Sequence, residues 1–97
     1  MEDYIRRQAE WSSRTFGHGM RTIGITRHIE KELDEIRANP IDLEEWIDVI
    51  ILAIDGFWRA GGKPEDLEWL LQQKQFKNFE RSWPPPQSED QPTEHIR

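Results

Sequence analysis

Residues Asp42 to Asp55, DLEEWIDVIILAID, most constrain what this chain can fold into. Set at about 100° per residue, they form a helix with carboxylates let into an otherwise apolar surface. Trp46, Ile47, Ile50, Ile51, Ile54 and Trp58 cover more than half the circumference, and Val49, Leu52 and Ala53 cover much of the rest. Glu45, Asp48 and Asp55, with Glu44 beside them, make one narrow acidic stripe. A carboxylate at an apolar face is costly unless something neutralises it. No Lys or Arg lies between Asp42 and Trp58, so a hard divalent cation is the other common solution.

The preceding segment, Thr26 to Arg37, supplies a matching half. Ile25, Ile29, Leu33 and Ile36 form an apolar stripe at helical spacing, edged by His28, Glu32 and Glu35. Asn39-Pro40 breaks this helix, since proline cannot continue it and restricts the residue before it. Asp42 is the expected N-cap of the next helix, with Glu45 placed as in a capping box. The short turn makes the pair an antiparallel hairpin. Glu35 and Glu45 lie equally far from Pro40, as do Glu32 and Asp48. An E-x-x-E pair therefore faces an E-x-x-D pair, and four such carboxylates suit Mg²⁺ or Mn²⁺. The alternative is a solvated acidic face, with Glu44 and Glu45 serving the dipole of the helix N-terminus.

Two further helices complete an all-α bundle of four. The first runs from about Asp3 to Thr15 and carries Tyr4, Ile5, Ala9 and Trp11 as its apolar residues. Phe16 to Gly24 is read as a loop with three glycines. Its Gly17-His-Gly19 and Arg21 are either an anion-binding turn or a plain connection, and the plain connection is the simpler reading. Gly61-Gly62 ends the third helix, and Lys63-Pro64-Glu65-Asp66 opens the fourth, with Leu67, Leu70, Leu71 and Phe76 as its apolar side. Lys74, Lys77, Asn78 and Arg81 gather near its end, where cations also complement the helix dipole. The boundaries expected are a domain over 1–84 and a Pro-rich polar tail over 85–97.

Bulk properties exclude several classes. The formal net charge of −6 argues against binding a nucleic acid polymer. Without cysteine there is no disulfide or thiolate chemistry. The longest apolar run is Val49–Ile54, far short of a membrane span. The N-terminal residues lack a signal-peptide apolar region, so a cytoplasmic protein is expected. Five Trp and four Phe are many for 97 residues. Helix three needs cover on several sides, so Trp46, Phe57, Trp58 and Trp69 are expected at a subunit interface. Two rival functions stand beside a metal-dependent enzyme: a non-enzymatic helical adaptor and a carboxylate-bridged metal-binding bundle. For an iron site of the second kind, no histidine stands three residues after a glutamate.

The chain resembles the MazG-like all-α nucleoside triphosphate pyrophosphohydrolases, and most of all the phage-borne dATP/dGTP diphosphohydrolase (MazZ-type) family. The resemblance is carried by Trp11 with TFGHGMR at 15–21, by HIEKELDEI at 28–36, and by PIDLEEWIDVIILAIDG at 40–56. WRAG at 58–61 and Lys74, Asn78, Arg81 and Trp83-Pro84 complete it. It implies a metal site of Glu32, Glu35, Glu45 and Asp48 holding two or more Mg²⁺ or Mn²⁺ ions. It implies Lys74, Asn78 and Arg81 as phosphate or nucleotide contacts. From its place on the Glu32/Glu35 stripe, His28 is read as a substrate contact or a structural histidine; from its place beyond Asp48, Asp55 is read as a further ligand or supporting group. The implied reaction is hydrolysis of a purine deoxynucleoside triphosphate, dGTP before dATP, to the monophosphate and pyrophosphate. The implied setting is control of the phage nucleotide pool in the host cytoplasm, by a homotetramer built as a dimer of dimers. The spacer of nine residues between Glu35 and Glu45 is shorter than is usual in the wider superfamily, which leaves Glu44 and Glu45 both open as the ligand. Trp11, Phe16, His28 and Trp83 are unranked candidates for recognising the base.

Overall fold

The first helix, α1 (Glu2–Phe16), opens with Glu2 and Asp3 in its first turn and has Arg14 in its last, each charge complementing the helix dipole. Ile5, Gln8, Ala9 and Ser12 recur at helical spacing and face inward, with Ile5 and Ser12 fully buried. α2 (Thr22–Ala38) and α3 (Leu43–Arg59) follow, then a 3-10 turn (Pro64–Asp66) and α4 (Leu67–Glu80). The computed structural model describes residues 1–97, all-helical with no strand; the one extended pairing is an isolated bridge between Ser82 and Ile96. The chain divides into two units, Met1–Asp66 and Leu67–Arg97.

In the first unit α2 packs mainly on α3, and α1 packs on α3 and on the Pro64–Asp66 turn. The hairpin forms as its sequence dictates. Asp42 caps α3 by accepting a hydrogen bond from the Glu44 amide at 3.1 Å. Glu45 does not close the reciprocal half of a capping box, because its carboxyl turns toward Glu35 and the Asp42 amide bonds the Asn39 carbonyl instead. Trp46 pins the turn by donating its indole N–H to the Pro40 carbonyl at 2.9 Å.

α2 begins at Thr22, inside the segment read from sequence as loop. The reversal is confined to Gly17–Arg21, where Gly17 (φ 93), Gly19 (φ 96) and Arg21 (φ 51) take left-handed backbone. α3 ends as its glycines predict. Gly62 N–H bonds the Phe57 carbonyl and Gly61 N–H the Trp58 carbonyl, a Schellman closure. Gly61 takes the positive φ of the turn (φ 104), and a Cβ on Gly62 would meet the Phe57 ring at 2.4 Å, so one glycine serves the turn and the other the contact.

The apolar core of this unit is small: Ile5, Ile36 and Ile54. Each contributes about 2 kcal/mol by burial. Much of the interior is instead polar, with Ser12, Glu32, Asp55 and Arg59 all buried. The N-terminal half of α3 has the opposite outside, where Leu43, Trp46, Ile47 and Ile50 share one face and are all at least half exposed.

In the second unit no residue of α4 is buried, and Trp69, Leu71, Phe76 and Phe79 are exposed. After α4 the chain returns so that the Ile96 amide donates to the Ser82 carbonyl at 2.6 Å and the His95 ring meets Trp83 edge-on at 5.9 Å.

Candidate active site

Glu32 and Glu35 sit one helical turn apart on α2, and Glu45 reaches them from the first turns of α3. Their carboxylate oxygens lie within 4.8 Å of one another. Carboxylates so close repel one another, and Glu35 and Glu45 titrate as a coupled pair. Glu45 is pushed up to about 7, first by its hydrogen bond with Glu35, then by desolvation and by the Glu35 charge, with Glu32 adding to both effects. Glu35 is held below the usual carboxylate range by its hydrogen bonds with Glu32 and Glu45. Glu35 and Glu45 thus share a proton, with Glu45 as its main holder.

Two oxygens of the cluster, Glu32 Oε2 and Glu45 Oε2, are buried without a hydrogen-bond partner. The other oxygen of Glu32 stands 3.2 Å from His28 Nε2. A buried carboxylate oxygen lacking a donor is costly, and a hard cation repays it. Oxygens on opposite sides of Mg²⁺ are about 4.2 Å apart, so a cluster of this breadth fits an ion of that class. Glu32, Glu35 and Glu45 are therefore a donor set of the right chemistry and size for a divalent metal.

Of the four expected ligands, three converge and Asp48 stands outside their cluster. Asp48 lines a cavity of about 470 Å³ together with Glu32, His28, Trp11, Phe16 and Gln8. Glu44 is exposed and also outside the cluster. The cavity has the volume of a small-molecule site. Its acidic lining is Glu32, Asp48 and Asp55; its aromatic wall is Trp11 and Phe16, whose rings meet edge-on at 5.5 Å. Three of the four candidates for base recognition, Trp11, Phe16 and His28, thus share one cavity. Trp83 belongs to the second unit, where it lines a separate cavity with His95.

Asp55 lies in a different polar group. Its Oδ2 accepts from Ser12 Oγ at 2.9 Å, and its Oδ1 accepts from Trp58 Nε1 at 3.1 Å and Gln8 Nε2 at 3.3 Å. Arg59 joins through Ser12, donating from Nη2 to Ser12 Oγ at 2.8 Å, while its Nη1 donates to the carbonyls of Gly17 at 2.8 Å and Gly19 at 3.0 Å. The glycine turn therefore presents its carbonyls to a cation of its own chain, as a plain connection does. Arg21 is likewise engaged internally, donating to the Phe16 carbonyl at 2.7 Å.

Gln8, Ser12 and Arg59 were not legible as site-forming residues, since their partners are far away in sequence. One signal existed: Arg59 follows Asp55 by four residues on a helix otherwise free of basic side chains. In the second unit Lys74, Asn78 and Arg81 follow one another at helical spacing. Arg81 Nη1 donates to Asn78 Oδ1 at 3.1 Å, Trp83 Nε1 donates to the Asn78 carbonyl at 2.8 Å, and Lys74 is exposed.

No curated protein and no solved structure matches the chain. A family model does, that of the dATP/dGTP pyrophosphohydrolases, over residues 4–97. With nearly the whole chain matched, the protein belongs to the dATP/dGTP pyrophosphohydrolase family and is a nucleoside triphosphate diphosphohydrolase.

Proposed function

We propose that this enzyme hydrolyses dGTP in preference to dATP, releasing pyrophosphate, with Mg²⁺ or Mn²⁺ held by Glu32, Glu35 and Glu45 and with Asp48 extending that set into the cavity. The observation that carries this reading is the pair of orphaned carboxylate oxygens on Glu32 and Glu45, with Glu32 also lining the aromatic cavity. Bound divalent metal supplies charge neutralisation for the triphosphate oxygens and acidifies a coordinated water. The chain's own residues do the rest. Trp11 and Phe16 offer faces and edges on which a purine stacks. His28 lines the same cavity beside Glu32, where it can meet the sugar or a phosphate. Lys74, Asn78 and Arg81 are the proposed cationic and amide contacts for the phosphates.

The preference for dGTP rests on the polar rim of the cavity. Gln8 spends one amide N–H on Asp55, which leaves Oε1 and the second N–H for a base, while Asp55 itself only accepts. Guanine presents two adjacent donors on its Watson–Crick edge, whereas adenine presents one donor beside an acceptor. The acceptors Gln8 Oε1 and Asp55 suit the two guanine donors, and this is the basis of the proposed preference.

The outward stripe of Leu43, Trp46, Ile47 and Ile50 supports a homotetramer, because a lone chain would leave it in water. The phage nucleotide-pool role and a cytoplasmic setting follow from the family resemblance; no helix is long and apolar enough to cross a membrane. A panel of deoxynucleoside triphosphates with Mg²⁺ and Mn²⁺, read by pyrophosphate release, tests the activity: dGTP should be the fastest substrate, and dATP turnover equal to it would refute the preference. Light scattering should give four times the 11.6 kDa chain mass, and a stable active monomer would refute the assembly.

A further inference from the structure

Arg59 is a buried cation that the proposed chemistry does not use. It has no carboxylate within ion-pair distance, and its nearest negative charge, Asp55, is reached only through the Ser12 hydroxyl. Three of its bonds go to one region: the carbonyls of Gly17 and Gly19 and the side chain of Ser12. That region is the α1–α2 turn and the last full turn of α1, which together carry Phe16.

Arg21 ties the turn within itself, donating to the Phe16 carbonyl at 2.7 Å with its guanidinium 5.9 Å from the Phe16 ring, but Arg59 is the cation that ties it to α3. A Cβ placed on Gly17 or Gly19 would meet nothing within 4 Å, and His18, Gly19 and Met20 are exposed. Both glycines have positive φ, so the backbone there is intrinsically permissive. Phe16 precedes this loose turn directly and lines the large cavity opposite Glu32 and Asp48. The Arg59 guanidinium is therefore the main polar tie between the turn and α3. Its planar fork serves two carbonyls from one nitrogen and a hydroxyl from another, which an ammonium cannot reproduce.

We propose that Arg59 is a positioning residue for substrate recognition: by clamping the Gly17 and Gly19 carbonyls and Ser12, it fixes Phe16 and so sets the aromatic wall of the cavity. This rests on the reading that the cavity takes the nucleobase. Arg59 acts on binding of the base and leaves the carboxylate cluster, which belongs to α2 and the start of α3, unaffected.

The test is a kinetic cycle on the full chain with dGTP and Mn²⁺, using Arg59→Lys, Ser12→Ala, Phe16→Ala and the double variant Arg59→Lys/Phe16→Ala. Arg59→Lys should raise KM about ten-fold and change kcat by less than about two-fold, because a misplaced stacking ring weakens binding while the reacting end stays in place. Its melting-temperature rise on saturation with Mn²⁺ should equal that of the wild type. Ser12→Ala, which removes one of the three bonds, should raise KM about three-fold and carries the same test if Arg59→Lys does not fold. In the Phe16→Ala background, Arg59→Lys should add less than about two-fold, since the two act through one ring. A raised KM in Phe16→Ala with wild-type KM in Arg59→Lys and Ser12→Ala overturns the positioning role alone. Multiplying effects in the double variant, or a fall in kcat with unchanged KM, also overturn it. A wild-type KM in Phe16→Ala overturns the reading of the cavity, and the Arg59 proposal with it.

Discussion

Two buried polar groups occupy the first unit, and they are satisfied in opposite ways. Around Asp55, every bond is internal: Gln8, Ser12 and Trp58 donate to the carboxylate, and Arg59 closes the group onto the glycine turn. Around Glu32, Glu35 and Glu45 the carboxylates face one another, with His28 beside Glu32 and a proton shared between Glu35 and Glu45, and two oxygens have no partner. The first group is complete without a ligand and ties α1 to α3. The second is arranged at a cost that a divalent cation would offset. Burial alone does not separate a structural carboxylate from a ligand; the count of donors does.

The comparison breaks most visibly in activity. Glu32→Gln or Glu35→Gln should lower pyrophosphate release by about 10²- to 10³-fold while circular dichroism stays helical, since a metal ligand is lost from a surface that folds without it. A variant retaining full activity would remove that residue from the metal set.

Stability separates the two groups next. Asp55→Ala leaves Ser12, Trp58 and Gln8 without their acceptor, and should cost about 3 kcal/mol in a urea titration, unrecovered by Mn²⁺. Glu45→Gln should do the reverse in metal-free buffer at pH 8. Its carboxyl is raised to about 7, so the ionised form is the disfavoured one in the folded chain, and an amide removes that repulsion. The expected result is an unfolding midpoint at or above wild type. A large loss of stability there would show that Glu45 is held by donors after all.

The same shift fixes a pH dependence. Because the Glu45 pKa is raised in the folded state, its stabilising contribution is full below about 4.5, the unfolded value, and is lost as pH rises to about 7. Glu35 runs the other way: its lowered pKa contributes stability above the ordinary carboxylate value, and that is lost only as pH falls below it. Between about 4.5 and 7 the metal-free protein should therefore lose stability with rising pH. The rise in melting temperature produced by Mn²⁺ should be larger at pH 8 than at pH 6, since proton and cation compete for the same oxygens. Equal rises at the two pH values would contradict the shared proton.

The hairpin was legible because its signals are local: a proline break, an aspartate cap, and acids at matched distances from the turn. The same counting placed Glu35 against Glu45. It did not separate Asp48 from the cluster, since Asp48 lies about 60° around α3 from Glu45, and which of the two faces α2 depends on how the helices roll against each other. The start of α2 at Thr22 was hidden by the glycines before it, which are needed only as far as Arg21. The Asp55 group was out of reach for another reason. Ser12 and Arg59 are 47 residues apart, and single polar residues on helices leave no periodic trace. Trp58 is half-buried, donating to Asp55 with the Arg59 guanidinium stacked 4.5 Å from its ring, a role its place in the sequence did not reveal. Trp46 and Trp69 remain exposed and available for the role foreseen for them.

The central claim is that the carboxylate cluster is a cation site and the Asp55 group is not. Calorimetric titration of chelator-treated protein with Mn²⁺ at pH 8 tests it directly. Wild type and Arg59→Lys should bind with the same stoichiometry and affinity, and Glu32→Gln/Glu45→Gln should show no saturable binding. Saturable Mn²⁺ binding that survives the double substitution, or no binding by the wild type, would contradict the account.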